Sequence, residues 1–310
     1  MYLRQVLIIG FFSLALLQSS SCPSKKAAQA NQNVQTETTP PKAANDKQKG
    51  DKEKMDLLEQ KVLNKDPSAV NVAKMMGSSA IPVLKPLAKN SDEDVRLIAV
   101  SCLGYTGGEE AANILIDALT DDSPSVAIEA GRALQRNLSP AIYSKLLDVY
   151  DKVEDPLLRR EIALMLGRIE GANVNDLKQK SKDEKAAEAK EGLMVAMAKL
   201  GDSSSRTEFI SRLQSAKDRE LKRFLDYVEY IGQTWAVREL SPVLSDKSPL
   251  VRVGTDDPMP GEIEYLRACD IALNLIVKIT EARFSFKVDG NTNYSDAQLQ
   301  EARQYLTTLR

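Results

Sequence analysis

A short capping turn recurs along this chain at a nearly constant interval, and this repetition constrains the fold more than any other feature. Ser and Asp side chains accept hydrogen bonds from the first free amides of a helix, and Pro is tolerated at the first helical position. Four turns combine the two residue types: Asp66-Pro67, Ser123-Pro124, Asp155-Pro156 and Ser248-Pro249. We therefore predict that Asp66, Ser123, Asp155 and Ser248 are structural caps that open helices.

The spacing of these turns predicts repeats of about 31 residues. Ser123 and Asp155 are 32 residues apart, and Asp155 and Ser248 are 93 apart, which is three steps of 31. Further turns are then expected near residues 186 and 217, where Asp183-Glu184 and Asp218 occur. Self-similarity at this period is typical of a solenoid built from helix pairs.

The helix after each turn is predicted to have one apolar face and a recurring set of positions. Over residues 90–104 the apolar side chains fall at helical spacing. The same positions recur downstream in Val95-Arg96-Ala99-Leu103-Gly104, Val126-Ala127-Ala130-Leu134 and Leu158-Arg159-Ile162-Leu166-Gly167, and more weakly before Leu200-Gly201. The helices before the turns are predicted at Ala80–Lys89, Glu109–Leu119, Ala141–Val153, Arg206–Leu213 and Trp235–Leu244.

The turn acid, the Val-Arg pair, the small residue and the closing Leu-Gly resemble the HEAT-repeat family and its HEAT-like variants, which are also seen in phycobilisome lyases. The resemblance implies an all-α fold, an α–α superhelix of about six or seven helix pairs over residues 55–282. It also implies that Arg96 and Arg159 pair with turn acids of adjacent units.

The repeat pattern breaks near the C-terminus. Val253–Glu262 contains two prolines and two glycines and is predicted to be a loop. We expect a long helix at Ile263–Ala282, and then a C-terminal cap over residues 283–310. The cap would contain an extended segment, Arg283–Val288, and a last helix opened by a capping box at Ser295.

The first 21 residues are predicted to be a signal peptide of the lipoprotein type. Val6–Leu17 is apolar apart from Gly10 and Ser13, and it is too short to span a bilayer. Small residues before Cys22 resemble the lipobox of bacterial lipoproteins, in which this cysteine is acylated; Ser19 stands where that family prefers Leu. The alternative is a plain signal peptide cut after Ser21.

Residues 22–54 are predicted to be a disordered tether, because they contain almost no large apolar side chain. Within residues 23–54 seven lysines and four acids give a net charge of +3, whereas residues 55–310 carry 34 basic and 40 acidic residues. A basic stem beside anionic lipid and an acidic body are electrostatically consistent, although a simple solubilising spacer explains the stem equally well.

The chain contains no histidine, and this excludes several classes of active site. A Ser–His–Asp triad, a zinc or iron centre with histidine ligands, and a histidine-ligated haem all require that residue. With no paired buried carboxylates evident either, we predict no catalytic residues, no metal, no cofactor and no enzymatic activity.

Arginines at the ends of the second helices are candidates for contact with a partner. Tyr105, Arg136 and Arg168 occupy the same position in successive repeats, and Arg132 lies one helical turn before Arg136. Such a column of cations would recognise acidic groups. The alternative is that these arginines only complement the helix dipoles.

Asp256 and Asp257 lie with Glu262 and Glu264 in the loop that interrupts the repeats. A loop longer than its neighbours in a regular array is a reasonable place for partner contact. The alternative is a solvated linker between two helices.

These features together predict a membrane-anchored HEAT-like lipoprotein that acts as a protein-binding scaffold in a bacterial cell envelope. The anchor would be Cys22, on the periplasmic face of either membrane or on the cell surface, and the partner would be a protein or peptide. Alternatives are a small-molecule-binding accessory or lyase-like protein, and a purely structural envelope component. Nucleic-acid binding is not expected, because the body is net acidic.

Overall fold

The computed structural model describes residues 42–253 and 265–309. The chain divides into two compact units, Met1–Asp46 and Lys47–Arg310. Only residues 42–46 of the first unit are described, as part of a helix. The rest of the description concerns the second unit.

Most of the described chain is helical. The α-helices are α1 (Lys42–Leu63), α2 (Ala69–Met76), α3 (Ile81–Leu87), α4 (Glu93–Leu103), α5 (Gly108–Ala118), α6 (Pro124–Leu134), α7 (Tyr143–Tyr150), α8 (Pro156–Leu166), α9 (Val174–Asp183), α10 (Ala187–Lys199), α11 (Ser203–Ser215), α12 (Asp218–Ile231), α13 (Thr234–Arg238), α14 (Ala268–Thr280) and α15 (Asp296–Thr308). Short 3-10 segments occur at Gly77–Ala80, Pro140–Ile142 and Val243–Ser245, and strands β1 (Pro249–Arg252) and β2 (Tyr265–Arg267) pair antiparallel.

First and second helices alternate along the chain from α1 to α14, giving seven pairs within the described residues. The second helices α2, α4, α6, α8, α10, α12 and α14 each pack against the next one in this series. Among the first helices, α3 packs on α5 and α5 on α7. The predicted all-α superhelix of helix pairs is confirmed, and the expected turns near residues 186 and 217 are present between α9 and α10 and before α12.

Small residues allow the second helices to approach closely. A Cβ added to Gly104 would lie 2.8 Å from the Cβ of Ala133, and one added to Gly167 would lie 2.8 Å from the Cβ of Ala196. Both contacts join one repeat to the next with the same sequence separation, so they mark equivalent positions. The predicted Leu-Gly ending of the repeat is therefore a packing requirement of the stack.

Partly buried arginines join successive turns, as the resemblance implied. Arg96 donates from Nε and Nη2 to the carboxylate of Asp121, at 2.9 Å each, and from Nη1 to the carbonyl of Asn90 at 2.8 Å. Arg159 makes the same contacts two repeats later, at 2.9 and 3.1 Å to Glu184 and at 2.8 Å to the carbonyl of Val153. We call each such link an arginine rung.

The predicted caps have different geometries. Asp155 is the N-cap of α8, and its carboxylate accepts the amide of Leu157 at 2.7 Å. Ser123 occupies the N-cap position of α6, but its side chain accepts no helix amide. The prediction for Asp66 is wrong in position, because the N-cap residue of α2 is Ser68; Asp66 instead accepts the amide of Ser68 at 2.8 Å within the turn before the helix.

The interpretation of Ser248 as a helix cap is wrong, because a strand follows it. Pro249–Arg252 pairs with residues 265–267, and the carbonyl of Ser248 accepts the amide of Ala268 at 3.0 Å. The Ser-Pro signal is the same as in the other turns, but pairing with a distant segment overrides it.

The predicted helix at Ile263–Ala282 is shorter in the structure, since Tyr265–Arg267 forms β2 and α14 ends at Thr280. Asp270 fixes the start of α14. This fully buried carboxylate accepts Nε and Nη2 of Arg267 at 2.7 Å each and the amide of Tyr294 at 2.9 Å. Residues 283–288 have no regular strand structure, and the capping box at Ser295 opens α15 as expected.

The boundary of the helical body also differs from the prediction. Helix α1 begins at Lys42, so residues 42–54, which the sequence assigns to the tether, are helical. Lys, Gln, Glu and Ala favour helix even where they bury little, and the first apolar anchors, Leu58 and Val62, are fully buried. The low apolar content of residues 42–54 therefore did not preclude a helical conformation.

Candidate interaction surface

Cations and aromatic rings meet at the C-terminal ends of the second helices. Tyr105 follows α4, and the guanidinium of Arg136, just after α6, lies 4.6 Å from the centre of its ring. Tyr105 is 37% exposed, and Arg136 is exposed as well. Helix α4 ends immediately before Gly104, and α6 ends immediately before Gln135. Tyr105 and Arg136 therefore follow the ends of their helices by the same distance, at the same edge of the stack.

The next two repeats place two cations on one tyrosine. The guanidinium of Arg168 lies 5.0 Å from the ring centre of Tyr230, and Nζ of Lys199 lies 5.1 Å from it. Tyr230 is fixed because its hydroxyl donates to the carbonyl of Leu164 at 2.8 Å. Lys199 also donates to the carbonyls of Tyr230 and Ile231, at 2.9 and 3.0 Å, at the end of α12.

A fourth cation–aromatic contact joins the first turns of α11 and α13. The guanidinium of Arg206 lies 5.0 Å from the ring of Trp235 and donates to the carbonyl of Ala198 at 3.2 Å. The side chain of Gln233 links this contact to the previous one: it accepts from the indole of Trp235 at 2.7 Å and donates to the carbonyl of Lys199 at 2.8 Å. We call these residues together the cation–aromatic column: Tyr105, Arg136, Arg168, Lys199, Arg206, Tyr230 and Trp235.

The positive charge of this column is not neutralised by the described part of the chain. None of Arg136, Arg168, Lys199 and Arg206 forms an ion pair with a described residue. Burial, with a smaller effect from Arg168, lowers the pKa of Lys199. The second effect is the one that neighbouring like charges produce. An anionic group placed here would relieve this repulsion.

Arg132 differs from the other predicted partner-binding arginines. Its Nε and Nη2 donate to a carboxylate oxygen of Glu129 on the same helix, at 3.0 and 2.6 Å. The side chain is 70% exposed, but its charge is already matched. The structure thus brings Tyr105, Arg136 and Arg168 into the column and leaves Arg132 beside it.

Several predicted positions lie outside the described residues. These are the signal peptide at residues 1–21, the lipidation site Cys22, and the loop acids Asp256 and Asp257.

Sequence reasoning missed Lys199 and Tyr230, although a signal for them exists. From Tyr105 the steps to residues 136, 168, 199 and 230 are 31, 32, 31 and 31. The weak Leu200-Gly201 ending suggested a different register for α10. Gly167 packs on Ala196 as Gly104 packs on Ala133, and Ala133 lies three residues before Arg136. Ala196 lies three residues before Lys199 in the same way. Ala198 is therefore the equivalent of Gly167, and Lys199 takes the position of Arg168.

The remaining reactive side chains are buried. Cys102 and Cys269 are both free thiols with no exposed surface, as expected for core residues. Burial raises the pKa of the Cys102 thiol to about 12, which keeps it protonated and unreactive. Within residues 42–253 and 265–309 no group of three Cys, Asp or Glu is arranged to hold a metal ion.

Among the helices that the structure describes, none combines the length and the apolar character needed to cross a membrane.

Comparisons with known proteins agree with the helix-pair architecture over one part of the chain. Residues 66–135 match the family model described as HEAT repeats. Among solved structures, human deoxyhypusine hydroxylase in complex with glycerol is similar to 85% of this chain and 98% of its own, at 16% identity and a TM-score of 0.34. A search of curated proteins gives no match.

Proposed function

We propose that this protein is a non-enzymatic scaffold that binds an acidic segment of another protein along the cation–aromatic column. The observation that supports this proposal is the series Arg136, Arg168, Lys199 and Arg206, whose charges lie on aromatic rings and have no carboxylate partner in the described chain. Cations that are held in place but not neutralised are suited to recognising carboxylates.

The column would contribute to binding in two ways. The aromatic rings and backbone contacts restrict the cations, so little side-chain freedom is lost when a partner binds. Tyr105 and Trp235 offer partly exposed rings for apolar contact, and Tyr and Arg are enriched at the energetic centres of protein interfaces. An extended acidic peptide could contact three or four repeats in succession.

Site-specific photo-crosslinking tests the proposed surface. A benzoylphenylalanine placed at position 105 should give a discrete adduct with one protein in intact cells, and Arg136→Gln with Arg168→Gln should abolish it. The matched control places the same probe at position 63, because Leu63 is 46% exposed, against 37% for Tyr105, and lies at the end of α1, outside the column. Equal adducts at both positions, or none at position 105, would favour a purely structural role.

We also propose that the protein is exported and held in a bacterial cell envelope by a lipid on Cys22. The support is the apolar run Val6–Leu17 followed by small residues before the cysteine. Cys22→Ala should release the protein from membranes and abolish palmitate incorporation. The control is Cys102→Ala, which changes a buried thiol and should leave the membrane fraction unchanged. Retention of Cys22→Ala on membranes would contradict the anchor.

A further inference from the structure

The two arginine rungs show how this fold holds a guanidinium between successive turns. In each rung the arginine is the fourth residue after the N-cap of a second helix, and its acid lies two residues before the next N-cap. The guanidinium bonds the acid through Nε and Nη2, and its Nη1 donates hydrogen bonds to carbonyls of the turn before its own helix. Both arginines are largely buried there.

The repeat between the two rungs lacks both partners. The arginine position is occupied by Ala127, and the acid position before the N-cap Asp155 is occupied by Val153. Arg96 and Arg159 stand at the same position on the flanking helices α4 and α8. We call the space between the turn before α6 and the turn before α8 the vacant rung.

A cleft of about 570 Å³ lies at the vacant rung. Its apolar wall contains Leu119, Ala127, Val153 and Leu158, and also Ile128, which is 55% exposed. In the neighbouring clefts on either side, Arg96 or Arg159 forms part of the wall. The cleft at the Arg159 rung has a similar volume, about 600 Å³, so the cleft at the vacant rung differs in its lining, which contains no arginine, and not in its size.

The charged groups around the cleft are mostly acidic. Asp121, Asp122, Glu154 and Asp155 line it, against one cation, Lys152. Asp121 is already bonded by Arg96, and Asp155 caps α8 through the amide of Leu157. Asp122 and Glu154 form no ion pair with a described residue, so their charges are available to a ligand.

We infer that the vacant rung binds the side chain of an arginine from a partner protein, with Asp122 and Glu154 in place of the turn acid that the internal rungs use. The apolar wall suits the aliphatic part of that side chain, and the acidic rim suits its guanidinium. Arginine fits better than lysine because its planar fork can bond a carboxylate and a turn carbonyl together, as Arg96 and Arg159 do. The site is separate from the cation–aromatic column, and the two have opposite charge.

The test uses N-acetyl-arginine N-methylamide as the probe and its citrulline analogue as the uncharged control of the same shape. Titration into the methyl-labelled full chain should shift the signals of Ala127, Ile128 and Leu158 saturably with the arginine probe. The citrulline analogue should bind at least about tenfold more weakly, because it lacks the charge-assisted hydrogen bonds. Equal shifts with both probes, or shifts elsewhere only, would overturn the proposal.

Two sets of variants locate the site. Ala127→Arg with Val153→Glu rebuilds the rung inside the chain, and it should abolish probe binding while leaving the protein folded. Asp122→Asn with Glu154→Gln leaves the core unchanged, and it should weaken probe binding about tenfold. The matched control is Asp226→Asn, an exposed acid on α12 outside the cleft. Unchanged binding in the surface double variant would refute the assignment even if the rebuilt rung failed to fold.

Discussion

The two ends of the second helices use arginine in opposite ways. At the N-terminal ends, Arg96 and Arg159 bond carboxylates from the next turn, and the side chains of Arg159 and Glu184 are only 18% and 6% exposed. At the C-terminal ends, Arg136 and Arg168 lie on tyrosine rings and have no carboxylate partner among the described residues. The difference shows that the first set joins successive repeats, and it supports our proposal that the second set contacts a partner.

Burial explains why the two sets should respond differently to substitution. A paired charge inside the protein leaves a costly unpaired partner when it is removed, whereas an exposed cation on an aromatic ring contributes little to folding. Variants at the N-terminal ends should therefore change stability, and variants at the C-terminal ends should change binding.

The largest expected effect comes from removing a rung. Arg159→Ala leaves Glu184 nearly buried beside the hydroxyl of Tyr150, which donates to it at 2.8 Å. We expect the free energy of unfolding to fall by about 3 kcal/mol, measured by urea denaturation. Arg132→Ala is the control and should change it by less than about 1 kcal/mol, because that ion pair is largely exposed. Equal losses in the two variants would contradict a structural role for the rung.

A substitution at Gly167 should lower both the stability of the protein and the binding at the column. A side chain there would lie 2.8 Å from the Cβ of Ala196 and 2.3 Å from the hydroxyl oxygen of Tyr230. Gly167→Ala is expected to cost about 2 kcal/mol of stability through overpacking. It should also displace Tyr230 and weaken binding at the column, whereas Gly50→Ala in α1 is a control, because a Cβ there meets no atom within 4 Å and the backbone is helical. A fully stable Gly167→Ala protein would refute the close approach of α8 and α10.

Substitution in the column should have a smaller effect on stability. Arg136→Gln with Arg168→Gln removes two cation–π contacts, so the unfolding free energy should fall by about 1 kcal/mol in total. Thermal denaturation of this variant beside Arg159→Ala measures the contrast directly. If the double variant were the less stable of the two, the column would be part of the structural frame.

The carboxylates of the arginine rungs should contribute to the dependence of stability on pH. Burial alone would raise the pKa of Glu184, but bonds from Arg159, the amide of Ala186 and Tyr150 together lower it to about 2. Asp121 is shifted in the same direction: burial opposes the shift and Arg96 drives it. Because these pKa values lie below those of the unfolded chain, the unfolded state binds more protons, and stability is lost as pH falls from about 4.5 towards 2.

The chain has no histidine, so stability should change little between about pH 6 and 8. Denaturation midpoints measured from pH 8 to pH 3 test both statements. Arg159→Gln should have a weaker acid dependence than the parent chain. A steep change near pH 6.5 would contradict the assignment of the titrating groups.

The sequence predicted the repeat because its determinants are local. Turn acids, prolines at the first helical position and small residues at helix ends act within a few positions, so Asp155 and Gly167 could be identified by spacing. The pairing of Arg96 with Asp121 followed from the family resemblance. The fold class and the turn positions therefore needed no knowledge of long-range contacts.

The errors occurred where distant segments decide the local structure. Ser248 has the same signal as the other caps, but β1 pairs with β2, which lies beyond the interrupting loop. Lys199 joined the column only when the packing of α10 on α8 fixed its register. The contact between Tyr230 and Arg168 links residues two repeats apart, and no single repeat contains that information.

The most direct test of the central claim is the binding of a defined acidic probe. A fluorescently labelled peptide of alternating Glu and Gly should bind the parent chain, and its affinity should fall at least about tenfold in Arg136→Gln with Arg168→Gln. Binding should weaken with added salt, remain unchanged in Arg132→Gln, and be absent for the matching Gln peptide. Equal affinity of the column variant and the parent chain, or equal loss in Arg132→Gln, would contradict the column as the partner-binding surface.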